Sequence, residues 1–183
     1  YEDVTLIVAH MGGGISVGAH DHGRVTDVND ALGGDGPFSA ERAGSLPAAA
    51  LVRMCFSGKY ESAGEVIREL LKKGGLYGYL GTNDGRDVDA LIDAGDEKAT
   101  LVYRAMAYQI SREIGASAAA LSGRAEAVIL TGGFAYDERL VKWISERVSF
   151  IAPVVVMPGE DELEALAQAA RRALSGEEKA KTY

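Results

Sequence analysis

The sequence predicts an α/β fold in which a three-strand antiparallel meander is followed by parallel strands with helices on both faces. Three observations carry this. Residues 4–9, 14–20 and 24–28 are short apolar strands separated only by tight turns, as in successive hairpins. The middle of the chain repeats apolar residues every third or fourth position, the helical period. From residue 127 the pattern becomes strand, helix, strand, helix, with the apolar runs that parallel strands bury between right-handed crossovers.

Size and composition narrow the reading further. A chain of 183 residues suits one domain, 1–183, with a core that needs no staples. The formal net charge of -8 argues against a general nucleic-acid surface, which needs clustered Lys and Arg. No apolar run is long enough to span a membrane, and the start does not have the form of a secretory leader. Cys55 is the single cysteine and lies in an apolar run, so it is expected in the core, and a reducing cytoplasm fits. The sequence opens on Tyr1 and enters a strand almost at once, which suggests a piece of a longer protein.

The elements follow in order. The first strand empties into Gly12, Gly13 and Gly14, whose freedom at positive φ would let successive amides turn toward one anion. The second turn, Asp21-His22-Gly23, carries His20 and His22, read as turn residues because zinc needs more ligands than they supply. Residues 29–47 form a Gly- and Pro-rich loop, long enough inside a domain to be functional. Pro47 then opens a helix that Gly58 can end. Ser62 and Glu65 stand at capping-box spacing ahead of a helix with Val66, Ile67, Leu70 and Leu71, stopped at Gly74-Gly75. Another polar loop runs from Leu80 to Asp87, and Asp87 is expected to cap a short helix holding Val88, Leu91 and Ile92.

The longest helix is predicted next, with Val102, Met106, Ile110, Ile114, Ala118 and Leu121 in one stripe. Gly115 and nearby alanines would admit another backbone. Residues 127–130 form a strand leading to Thr131-Gly132-Gly133, and Asp137 opens a helix with Leu140, Val141, Ile144 and Val148 inward. Residues 154–157 form the last strand. A helix from Glu160 to Leu174 should bury Leu163, Leu166, Ala167, Ala170 and Leu174, and the charged tail 175–183 should fray.

Ligands in open α/β sheets bind beyond the carboxyl ends of strands. The two turns at Gly12–Gly14 and Gly132-Gly133 are therefore the candidate cradle. Neither has the Gly-Lys-Ser/Thr ending of a Walker A loop, and no Gly-x-Gly-x-x-Gly fingerprint is present. Arg42 and the pair Asp84 and Arg86 sit in the long loops, where a surface role is the ordinary expectation for such residues.

Five motifs stand in order: His10-Met-Gly-Gly-Gly-Ile-Ser, Gly36-Pro-Phe-Ser-Ala-Glu-Arg-Ala-Gly-Ser-Leu-Pro, Gly81-Thr-Asn-Asp-Gly-Arg-Asp-Val, Leu130-Thr-Gly-Gly and Pro158-Gly-Glu-Asp-Glu-Leu. Together they resemble the butyrate kinase branch of the acetate kinase family, over about residues 4–170. The resemblance implies a ribonuclease H-like (actin-like ATPase) fold and an ATP-dependent, reversible carboxylate kinase that makes an acyl phosphate and ADP. It implies that His10 and Arg42 are catalytic, Arg42 by stabilising charge on the moving phosphoryl group. Gly12, Gly13 and Gly14 would hold phosphates, while Asp84, Gly85, Arg86, Gly132 and Gly133 would contact the adenosine. An acidic residue, Asp161 or Glu162, would ligate Mg²⁺.

Acetate kinase itself has Asn where this chain has Gly13, and Gly-Thr-Arg-Ser where it has Ala40-Glu41-Arg42-Ala43; both departures favour the butyrate branch. The resemblance covers only the C-terminal half of a two-domain kinase. The short-chain fatty acid would then meet ATP through an N-terminal domain missing here, and this half should be inactive alone. A non-catalytic nucleotide-binding or assembly module of the same fold is the alternative. A homodimer through the stripe from Val102 to Ile114, or through the exposed cleft face, is a further expectation.

Overall fold

A computed structural model describes residues 1–179, apart from the side chain of Glu162. The expected fraying of the tail therefore falls in part outside the described residues. Five strands make one sheet: β1 (Thr5–Met11), β2 (Ile15–Asp21), β3 (Arg24–Val28), β4 (Ala127–Gly132) and β5 (Val154–Pro158). Their order across the sheet is β3-β2-β1-β4-β5. Tight turns make β1, β2 and β3 antiparallel, and crossovers make β1, β4 and β5 parallel, so β1 is the seam between the two modes. In register, Ile7 lies beside Val128 and Ala9 beside Leu130.

The period of two along β1 divides the sheet. Ile7, Ala9 and Met11 are fully buried on one face, together with Ile15, Val17 and Ala19 of β2. That face is covered by α5 (Glu97–Ala120) and α6 (Glu138–Val148), which pack on each other. Val102, Met106, Ile110, Ile114 and Leu121 point into this core, as do Leu140, Ile144 and Val148. The stripe proposed as a dimer face is thus consumed by the sheet and cannot also meet a second copy. Nothing lies within 4 Å of a methyl built on Gly115, so the close backbone approach expected there is not made.

The helices α1 (Ala48–Cys55), α2 (Ala63–Lys72), α3 (Gly75–Leu80) and α4 (Gly85–Asp93) fill the connection between β3 and α5. Ser62 caps α2 by accepting from the Glu65 amide, as its spacing predicts. Helix α3 was not expected: Gly75 takes φ +57, and the chain re-enters a helix where the double glycine reads as a stop. The cap of α4 is Asp84, not Asp87; the Asp87 carboxylate instead accepts from the Thr82 hydroxyl.

Two further expectations are corrected. Helix α1 buries no residue: Cys55 is exposed, with Val52 and Phe56 at 56% and 87%. An apolar run predicts burial only where a neighbour exists to receive it. Helix α7 (Glu162–Ser175) likewise leaves Leu163 and Leu174 exposed at 84% and 89%. Helical cover is therefore confined to one face of β1, β2 and β4: β3 is exposed throughout and β5 beyond Val154, while Leu6, Val8 and Ile129 on the other face stay half-buried.

Candidate active site

The carboxyl ends of β1, β4 and β5 open into a cleft of about 750 Å³. Its wall on the β1 side is formed by Gly12 and Gly13, in the turn that ends at Gly14. None of these three glycines has positive φ, contrary to the expectation that they would exploit that freedom. Close approach is what requires them. A methyl on Gly14 would collide with the Arg42 guanidinium, and one on Gly12 would lie 2.7 Å from a Glu160 carboxylate oxygen and 3.4 Å from His10 Nε2. Gly13 has nothing within 4 Å and presents bare backbone to the cleft.

The β4 side is built on Gly132 and Gly133. Gly132 takes φ +89 and crosses so close to β1 that a methyl would lie 2.6 Å from the Met11 carbonyl oxygen. It also exchanges backbone hydrogen bonds with Gly159, its N–H donating at 3.1 Å and its carbonyl accepting at 3.2 Å. This locks the ends of β4 and β5 together. Gly133, like Gly13, is bare backbone with open space before it. A 3-10 turn over Gly133–Tyr136 follows and sets Phe134 and Tyr136 into the cleft wall.

The N-terminus of α4 closes the far side. The Asp84 carboxylate accepts from the Arg86 amide at 2.9 Å and pairs with the Arg86 guanidinium at 2.5 Å. That pairing holds the Asp84 carboxyl down to about 2 and raises Arg86. Gly85 lets α4 sit against Phe134, whose ring would lie 2.9 Å from a methyl there. Behind it, Asp137 caps α6 and accepts from the Tyr103 hydroxyl. Burial, then this hydrogen bond, push the Tyr103 phenol up, so it stays a neutral donor. Burial, then the charge of Asp137, push Asp89 up despite Arg139 at 3.3 Å.

Arg42 reaches the glycine turn from the 29–47 loop. Its guanidinium lies over Gly14 and donates from Nη1 to the Ala31 carbonyl at 2.7 Å. Backbone bonds fix the loop: Ala43 N–H to Leu70, Gly74 N–H to Glu41, Leu76 N–H to Ser39 and Tyr77 N–H to Ala40. His10 Nε2 stands 3.2 Å from Glu160 Oε1.

Of the two acidic candidates, Asp161 is exposed at the start of α7 and makes no side-chain cap bond, and the Glu162 side chain is outside the described structure. Glu160 is the acid that overhangs the turn, and neither it nor Ser39 was singled out from sequence. Its signal was available: it follows Gly159 at the carboxyl end of a strand parallel to β1 and β4. His20 and His22 lie away from the cleft, bonded to Tyr1 and Asp21. Among the described residues no three His, Cys, Asp or Glu are arranged to hold a metal ion.

A sheet of this topology with its cleft at the parallel strand ends defines a protein of the ribonuclease H-like, actin-like ATPase fold. The chain belongs to the acetokinase family, which it matches over residues 1–169. It is 56% identical over 183 residues to a Clostridium botulinum protein named "Probable butyrate kinase". That match takes in 100% of this chain and 51% of the relative, so the chain spans about half the relative's length.

The fold is also that of acetate kinase from Porphyromonas gingivalis, with a TM-score of 0.83 and 23% identity over 93% of this chain and 49% of the other. Propionate kinase from Francisella tularensis gives a TM-score of 0.78 and 22% identity over 87% of this chain and 47% of the other. Acetate kinase from Entamoeba histolytica gives 0.82 and 18%, over 93% and 51%.

Proposed function

We propose that this chain is the nucleotide-binding half of an ATP-dependent carboxylate kinase that converts butyrate and ATP reversibly to butyryl phosphate and ADP. One observation carries the reading: the two bare glycine positions, Gly13 and Gly133, the α4 N-terminus and the Arg42 loop all converge on one cleft. Main-chain amides at Gly13 and Gly14 take the phosphates, the Gly12 N–H being spent on the Gly14 carbonyl at 3.0 Å. Asp84, Gly85, Arg86 and Gly133 frame the adenosine, with Gly132 buried and bonded to Gly159 as their support. A carboxylate oxygen of the acid attacks the γ-phosphorus as the bond to the bridging ADP oxygen breaks, and Arg42 stabilises charge on the transferring group. His10 orients the phosphate end of the cleft. The acid is held by an N-terminal domain of the complete kinase, and this half is inactive without it.

The acidic run from Glu160 fits a magnesium ion brought in on the nucleotide, because such an ion needs only one or two protein carboxylates beside phosphate oxygens and water. Glu160 already sets an oxygen over the turn, and Asp161 and Glu162 adjoin it. Held there, such an ion would neutralise phosphate charge.

The test uses the full-length protein with MgATP, butyrate and hydroxylamine to trap acyl phosphate. Hydroxamate that depends on both substrates supports the kinase. MgATP binding with no hydroxamate from butyrate, acetate or propionate overturns it in favour of a non-catalytic nucleotide-binding module.

A further inference from the structure

The glycine turn and the arginine loop meet at one buried hydroxyl. Ser39 is 0% exposed, and its Oγ donates to the Gly13 carbonyl at 2.6 Å while accepting from the Arg42 N–H at 3.3 Å. Its main chain is engaged as well: the N–H donates to the Arg42 carbonyl at 3.0 Å, and its carbonyl accepts from the Leu76 N–H at 2.9 Å. Because Ser39 is fully buried, it has no direct access to a ligand in the cleft.

The consequence follows from peptide geometry. A trans peptide is planar, so the Gly13 carbonyl and the Gly14 N–H point in opposite directions. Glycine on both sides removes the side-chain sterics that would otherwise limit rotation of this unit. Tethering the carbonyl to Ser39 therefore sets where the Gly14 amide points. The same hydroxyl holds the backbone of Arg42, whose guanidinium lies over Gly14. Both parts of the phosphate end hang from one oxygen.

The geometry points to Ser39 as a positioning residue for phosphoryl transfer, holding the peptide between Gly13 and Gly14 and the backbone of Arg42 in one fixed relation. This rests on the reading of the cleft as an ATP site. It differs from a purely structural role in one respect. A hydroxyl that only supports the fold would affect every ligand alike, whereas this one acts on phosphates and spares the adenosine end at Asp84 and Gly133.

The experiment compares Ser39→Ala with the parent in the full-length protein, by calorimetry with adenosine and with ADP and by steady-state kinetics with MgATP and butyrate. Expected are unchanged adenosine affinity, a reduced preference for ADP over adenosine, and a kcat lower by about 10- to 100-fold, the usual loss when a supporting hydrogen bond of a site is removed. A parent that does not prefer ADP to adenosine overturns the ATP-site reading itself. If the parent shows the preference, a variant whose ADP preference and kcat both stay within about twofold overturns the role of Ser39 alone. Equal loss of adenosine and ADP binding overturns it too, because that is the signature of a general loosening.

Discussion

Adjacent glycines in the cleft face opposite fates on substitution. Gly132→Ala places a methyl against the β1 backbone at φ +89, and strained backbone of this kind costs about 1–3 kcal/mol before the clash is counted. We expect that variant to unfold at markedly lower denaturant. Gly133→Ala meets nothing within 4 Å, so its stability should stay within about 0.5 kcal/mol of the parent while nucleotide affinity drops. Chemical denaturation beside nucleotide titration separates the two, and equal stability losses would refute the distinction. Arg42→Ala should lower kcat of the complete kinase by about 10²- to 10³-fold with little change in ATP affinity. A matching loss of ATP binding would show that Arg42 serves the ground state instead.

Helix termini set the far wall of the cleft, and there the electrostatics make a pH prediction. Asp84 is held at about 2 in the folded protein against an ordinary 3.8, because Arg86 hydrogen-bonds to it. A depressed carboxyl stabilises the fold above its unfolded value and ceases to do so as pH falls through the folded one. The stability gap between the parent and Asp84→Ala should thus be constant at neutral pH and narrow between pH 3.8 and about 2, followed by thermal unfolding. A gap that widens on acidification would contradict the pairing. Helix α2 offers a simpler case: Ser62→Ala removes the acceptor for the Glu65 amide and should cost about 1 kcal/mol.

Across the whole molecule, what could be read from sequence was whatever local chemistry decides. The meander, the stripe of α5 and the caps at Ser62 and Asp137 depend on spacing within a few residues, and all are present. Burial depends on what arrives from elsewhere in the chain. For that reason Cys55 and Leu163 were misplaced, and Glu160, brought to Gly12 across β4, was passed over. The glycine turns were recognised, but the reason for glycine at 12 and 14 was chiefly contact with Glu160 and Arg42, which no local pattern contains. The core itself should respond as a packed unit: Ile110→Ala, fully buried between α5 and the sheet, should lose about 2–5 kcal/mol in denaturation.

The bare backbone at Gly13 and Gly133 also limits how this cleft can be dissected. An alanine scan works by deletion, and on the proposed reading the groups offered to a nucleotide are main-chain amides that no side-chain truncation removes. Scanning would therefore report Arg42, Asp84 and Arg86 and leave the cradle invisible. Only changes that add atoms, such as a methyl at Gly133, or that replace an amide by an ester, can make it register.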